Sequence, residues 1–204
     1  MNKRMASMNR WRWLAAWLVL GLLCQAGCAG TSGNTLEERQ ASMLKVRDET
    51  LEELYVREPG TKETIKTSSG YAVVKAFSLH LGIISLAGGS IVIVDNTTGK
   101  PIFDKFFRFM VGPGLAAKSL RAVLLIKDAE TMERLSDTPW LFAALLEASF
   151  RFGSFGGSLA DATSFGDNVN AYYWTKNGVA LEAAIGFGKT WRAKDLNAQP
   201  TSSQ

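Results

Sequence analysis

Thiols are nearly absent from this chain of 204 residues, which has two cysteines, Cys24 and Cys28, both near its start. From Ala29 onward no disulfide, thiolate nucleophile or zinc–thiolate site is available, so stability there must come from packing. Histidine is as scarce, with His80 alone between Leu79 and Leu81. General base work or metal ligation needs partners, and none sits at a recognisable spacing, so His80 reads as a structural residue. No metal, no cofactor and no enzymatic activity are expected. Long apolar runs are missing too: Trp13 to Cys24 is unbroken for only 12 residues, whereas a helix crossing a bilayer takes about 20. A permanent transmembrane anchor is not expected.

What the start of the chain does have is a basic opening, Lys3, Arg4, Arg10 and Arg12, then that apolar run, then Gln25-Ala26-Gly27-Cys28. Charge, apolar stretch and small-residue exit are the parts of a secretory signal built for cleavage. The ending Ala26-Gly27-Cys28 resembles the lipobox of bacterial lipoproteins, with Gln25 where that family usually carries an aliphatic residue. The resemblance implies a signal over residues 1–27, and Cys28 as an acylated first residue of the mature chain, bearing palmitate-like chains. One acyl chain holds a protein only marginally, at about 0.8 kcal/mol per buried methylene, and stable anchoring takes more than one. The multiply acylated cysteine of that family meets this need. Ala29 stands where an Asp would signal inner-membrane retention, so the resemblance implies the outer membrane, with the folded part facing the periplasm. The alternative is an ordinary secretory signal cut near Ala26 or Ala29, which leaves Cys28 a bare thiol.

Net charge changes once the signal is removed. The chain has 23 basic and 19 acidic residues, and the signal holds four basic and no acidic ones, so the remainder balances at 19 against 19. That balance removes the main support for a nucleic-acid partner. The charges are unevenly spread, because Thr67 to Lys127 has 7 basic and 2 acidic residues. Such a basic middle beside aromatics suits anionic headgroups, or else a solvated face balanced by neighbours in the fold.

After a short polar tether, residues 28–34, Thr35 and Glu38 have the spacing of a capping box. Leu36, Met43, Leu44, Leu51, Leu54 and Tyr55 then recur at helical spacing until Pro59-Gly60. The polar face of this helix, residues 35–60, is net acidic, which favours packing on the domain over lying on a membrane. A polar connector leads to a β-rich stretch, Tyr71 to Phe77, and a second, Ile91 to Val94, with a turn expected at Gly88-Gly89-Ser90 between them. Asp95-Asn96-Thr97-Thr98-Gly99 has hairpin chemistry. In Pro101 to Met110, Phe103, Phe106, Phe107 and Phe109 alternate with Lys105 and Arg108. Aromatics among cations suit a bilayer interface, and suit a half-buried strand equally. Lys105, Phe106, Phe107, Arg108 and Phe109 are therefore the candidate lipid-binding residues.

Arg121 to Lys127 reads as a central strand, and Asp128 as the cap of a short helix through Leu135. Asp137-Thr138-Pro139 opens an apolar helix, Trp140 to Phe150. Gly153 to Gly166 reads as a loop. Asn177-Gly178, between Val169–Thr175 and Val179–Lys189, is the strongest short hairpin signal in the chain. Ala198 to Gln204 is a polar tail.

Gly112-Pro113-Gly114-Leu115, Arg121-Ala122-Val123-Leu124-Leu125-Ile126 and Asp128 to Leu135 are similar to segments of SYLF domains. So are Tyr172 to Thr175, Gly178 to Leu181, Lys189-Thr190-Trp191 and Asp195-Leu196-Asn197, and the likeness runs from about Tyr71 to Asn197, within a domain expected over residues 61–197. It implies one α+β domain, a curled antiparallel sheet with helices packed on it, and association with phospholipid. Phosphoinositide recognition is not carried over, because residues 35–58 are not basic and the glycines after the first strand are few.

Two motifs imitate nucleotide loops. Gly186-Phe187-Gly188-Lys189-Thr190 lacks the first glycine of a phosphate loop, which would fall at Ala183, and Gly112 to Ala117 is followed by a strand where a helix is needed. The expected function is a non-enzymatic, lipid-anchored envelope module that meets membrane lipid. The alternative is an envelope adaptor that contacts protein partners and has no lipid ligand beyond its own anchor.

Overall fold

The Thr35 hydroxyl accepts the Glu38 N–H at 3.1 Å, while the Glu38 carboxylate accepts the N–H groups of Asn34 and Thr35 at 2.7 and 3.2 Å. This reciprocal pairing is the capping box its spacing predicts, and it opens helix α1, Leu36–Arg57. In the computed structural model the residues described are 33–138, 163–165, 168–182 and 185–198, with the backbone alone for 163–165, 179–182, 185 and 186. The chain divides into two units, Met1–Thr31 and Ser32–Gln204, and all of these residues belong to the second. The signal, the acylation position Cys28 and the apolar helix expected over Trp140 to Phe150 lie outside them.

Helix α2, Thr61–Thr67, follows Pro59-Gly60 and buries Ile65. This corrects the polar connector expected there, since one buried apolar residue docks a segment that is otherwise polar. Two strands of unusual length come next, β1, Gly70–Asp95, and β2, Pro101–Ile126. They pair antiparallel from end to end with one interruption, joined by the predicted turn, in which the Gly99 N–H donates to the Asp95 carbonyl. Gly88-Gly89-Ser90 is not a turn but lies inside β1, opposite Phe107, Phe106 and Lys105. Helix α3, Ala129–Asp137, is capped by Asp128, whose carboxylate accepts the Thr131 N–H at 2.9 Å.

The other side of β2 is lined by two strands in succession. β4, Val169–Glu182, pairs with residues 114–126, and β5, Ile185–Arg192, pairs with residues 104–111. A short edge strand, β3, Thr163–Phe165, pairs with β4 where a loop was expected. The Asn177-Gly178 hairpin is not formed either. Asn177 and Gly178 continue β4 opposite Ser119 and Lys118, and Lys176 is the extra residue of a β-bulge, since Thr175 already pairs with Leu120.

A straight strand of 26 residues would span nearly 90 Å at about 3.4 Å per residue. The residues bracketing β1 nonetheless touch, the Asn96 N–H donating to the Ser69 carbonyl at 3.0 Å. The sheet curls back on itself, and the bend falls where pairing pauses. Between the pairs Gly82–Gly114 and Ile84–Val111, β1 has one residue and β2 has two, Gly112 and Pro113. A proline has no N–H to give a ladder, and here neither neighbouring ladder asks for one. Gly82 takes a left-handed φ of +71°, which a side chain would resist.

Curling produces two apolar layers. On the concave side Ala72, Val74 and Ala76 from the first arm of β1 meet Ile91 and Ile93 from its second arm, with Phe106, Leu124, Ile126, Met132 and Leu135. On the convex side, at the arm ends, α1 and α2 place Met43, Leu51, Leu54 and Ile65 over Tyr71, Val73, Val92, Phe103, Val123 and Trp174. Polar clamps hold α1 there. Trp174 Nε1 donates to Glu53 at 3.0 Å, Lys176 joins the same carboxylate, and Arg57 stacks 5.4 Å from the Trp174 ring. The architecture is a single α+β domain with an open, curled antiparallel sheet and helices packed on it. The helix at residues 35–60 packs into this domain, as its acidic polar face predicts.

Candidate functional site

Alternation along β2 divides the five candidate lipid-binding residues between the two faces of the sheet. Phe106 is 4% exposed and Arg108 6% exposed, both on the concave side, so neither belongs to the surface expected of it. Phe106 packs in the concave core. Lys105, Phe107 and Phe109 point the other way, out of the curl. Phe107 is 47% exposed, and Lys105 and Phe109 are partly exposed.

Register extends these three into a stripe across three strands. Residues directly opposite one another share a face, so the convex side carries successive rungs: Ser90, Lys105 and Trp191; Gly88, Phe107 and Lys189; Leu86, Phe109 and Phe187. Phe109 and Phe187 touch, with ring centroids 6.0 Å apart. Ile84 and Val111 follow, and past the bend Leu81 lies opposite Leu115. The described helices cover only the arm ends, and residues of this middle are exposed. Phe187 is 73%, Ile83 67% and Leu115 66% exposed. The patch is contiguous and aromatic at one end, unlike the scattered single apolar residues of an ordinary surface.

Among the described residues the cations of the stripe are Lys105 and Lys189, with the exposed Asp195 beside Lys105 at one end. The carboxylates of β1 and β2 are Asp95, at the turn, and Asp104, which is fully buried on the concave side. Burial raises the Asp104 carboxyl above its ordinary value, and the Arg192 guanidinium, with Nε 2.8 Å from Oδ1, offsets only part of that. Lys189 is exposed among the aromatics. Lys105 Nζ lies 3.4 Å from Asp195, whose same oxygen accepts Arg39 of α1 at 3.0 Å. The segment Asp195-Leu196-Asn197 is thus a tie rather than a site. Leu196 is buried, and the Asn197 side chain accepts the Phe103 N–H at 3.0 Å and donates to the Phe103 carbonyl at 2.7 Å.

His80 is fully buried on the concave side, where its Nε2 lies 2.8 Å from the Gly112 carbonyl oxygen. That contact joins the two strands beside the bend, which is the structural role its apolar flanks suggest. Among the described residues no group of three His, Cys, Asp or Glu side chains converges as a metal site. No helix among them is long and apolar enough to cross a membrane.

Sequence reasoning missed Leu81, Ile83, Ile84, Leu86, Leu115 and Phe187 as members of this surface. Of these only Phe187 falls in a stretch read as a strand, and none stands out until register sets it beside Phe107. One signal was available, since Gly112-Pro113-Gly114-Leu115 marks a place where a long strand must bend and stop pairing. No family model matches this chain, and no curated protein matches it in sequence.

Proposed function

We propose that this protein is a lipid-anchored envelope module, acylated at Cys28, whose folded domain lays the convex stripe of its sheet on a phospholipid surface. The observation that supports this reading is the exposed run Trp191, Phe107, Phe187, Val111 and Leu115, flanked by lysine and free of exposed carboxylates along β1 and β2. Aromatic rings settle at the headgroup level because their bodies are apolar and their rims tolerate water, and cations beside them meet lipid phosphates. The resemblance of Ala26-Gly27-Cys28 to a lipobox, with Ala29 after the cysteine, supports outer-membrane residence and a periplasmic orientation. The likeness to SYLF domains points to the same class of ligand. No catalytic role is assigned, since His80 is spent on a backbone carbonyl inside the fold.

The test is flotation of a soluble form beginning at Ala29 with vesicles of phosphatidylethanolamine and phosphatidylglycerol. The wild-type domain floats, and the double change Phe107→Ser and Phe187→Ser leaves it at the bottom of the gradient. A wild-type domain that never floats, yet is retained by an envelope protein, overturns lipid association in favour of the adaptor.

A further inference from the structure

Two features of the molecule lie at the same end of the stripe. The first turn of α1 is tied to the C-terminal turn by Arg39 to Asp195 at 3.0 Å and by Gln40 to the Leu196 carbonyl at 2.7 Å. Asp195 is in turn 3.4 Å from Lys105, whose rung partner is Trp191. The point where the tether enters the domain is therefore beside the first aromatic rung. From Cys28 to the cap at Thr35 is seven residues, which reach at most about 25 Å. From the Lys105 rung to the Val111 rung the stripe runs about 20 Å at the rise of an antiparallel strand.

From this, and resting on the lipid-surface reading above, we infer that the stripe engages the same leaflet that holds the acyl chains. The protein attaches in cis at two points, by the anchor and by the sheet, and does not bridge to a second membrane. A tether this short gives the stripe an effective lipid concentration in the millimolar range or above, so a weak contact suffices to keep the domain flat. A patch meant for a distant bilayer would gain nothing from sitting beside the tether. Lys189, which pairs with Phe107, supplies charge complementarity to an anionic leaflet at the exposed part of the stripe.

The experiment uses the full acylated protein in phosphatidylethanolamine–phosphatidylglycerol vesicles. Because no cysteine follows Cys28, a single introduced thiol can be labelled alone, at Gly88→Cys in the stripe or at Glu133→Cys on the exposed side of α3, which packs on the concave face. The fluorophore at position 88 is quenched several-fold more than that at 133 by spin-labelled lipids of its own vesicle, and protein-bearing vesicles do not cluster with bare ones. Lengthening the tether about five-fold with Gly-Ser repeats after Ala29 lowers the effective concentration about ten-fold, and the quenching at 88 falls with it. Equal quenching at the two positions, or clustering of bare vesicles by the wild-type protein, overturns cis attachment. If the soluble domain floats while either of those results holds, only this inference fails. If it never floats, or if the mature protein has no acyl mass, the underlying reading fails as well.

Discussion

The carbonyl oxygen of Lys75 occupies the space that a side chain at Gly89 would need. A Cβ built on Gly89 would lie 1.9 Å from that oxygen and 2.8 Å from the Phe106 ring. Both residues belong to β1, fourteen positions apart, so this is the contact by which one strand crosses itself.

Gly89→Ala should therefore destabilise the domain by about 1–3 kcal/mol, the usual cost of overpacking a closed contact. Gly88→Ala is the matched control. Its Cβ would face the convex side, with nothing nearer than 3.4 Å, and the change should fall within about 0.5 kcal/mol of wild type. Urea unfolding of the two variants makes the comparison.

Phe106 and Phe107 are neighbours with opposite duties. Phe106→Ser should cost about 3–5 kcal/mol by emptying the concave core. Phe107→Ser should leave the unfolding midpoint nearly unchanged while weakening vesicle flotation. Loss of stability in both, or of flotation in neither, would contradict the assignment of faces.

Asp104 and Glu53 should bend the pH dependence of stability in opposite directions. Burial raises the Asp104 carboxyl, and Arg192 offsets this only in part. The folded state then holds that proton more tightly than the unfolded one, so ionised Asp104 costs stability above its raised pKa, and the cost fades on acidification. Asp104→Asn should have a higher melting temperature than wild type at pH 7 and lose that advantage toward pH 4. Calorimetry across this range reads the convergence.

For Glu53 burial pushes the pKa up, but the Lys176 and Trp174 hydrogen bonds and the nearby Arg121 charge outweigh it, and the carboxyl is lowered. Its contribution is therefore present above the ordinary carboxylate range and is lost as pH falls through the lowered value. Glu53→Gln should lose about 1–2 kcal/mol near neutrality, in line with hydrogen bonds to charged groups. The deficit should shrink in acid. A deficit that does not vary with pH would mean that the carboxylate charge plays no part in clamping α1.

Local chemistry was legible in the chain wherever its partners were local. Thr35 with Glu38, Asp128 with Thr131 and the Asp95–Gly99 turn all form as their spacing requires. Two of the failures share one cause. Gly88-Gly89-Ser90 and Asn177-Gly178 have the composition of turns, yet at Gly89 the missing side chain makes room for a crossing backbone, and Asn177 follows a bulge. A bulge, a close approach and a turn draw on the same residue types, and only long-range pairing tells them apart. The five candidate lipid residues failed by halves for a related reason. Composition flagged the stretch, and alternation then gave Phe106 and Arg108 to the interior.

The irregularity at Gly82 also sets how the strand is counted. Before it the inward residues of β1 are even-numbered, Ala72, Val74, Ala76, Ser78 and His80; after it they are odd-numbered, Ser85, Ala87, Gly89, Ile91 and Ile93. Removing a single residue between Gly82 and Ser85 would shift the phase of everything downstream, exchanging Ile91 and Ile93 with Val92 and Val94 between the two apolar layers and taking Gly89 out of the contact with Lys75 that only a glycine allows. Length at this corner is thus under tighter constraint than side-chain identity, and homologous sequences should tolerate substitution there far more readily than a one-residue gap.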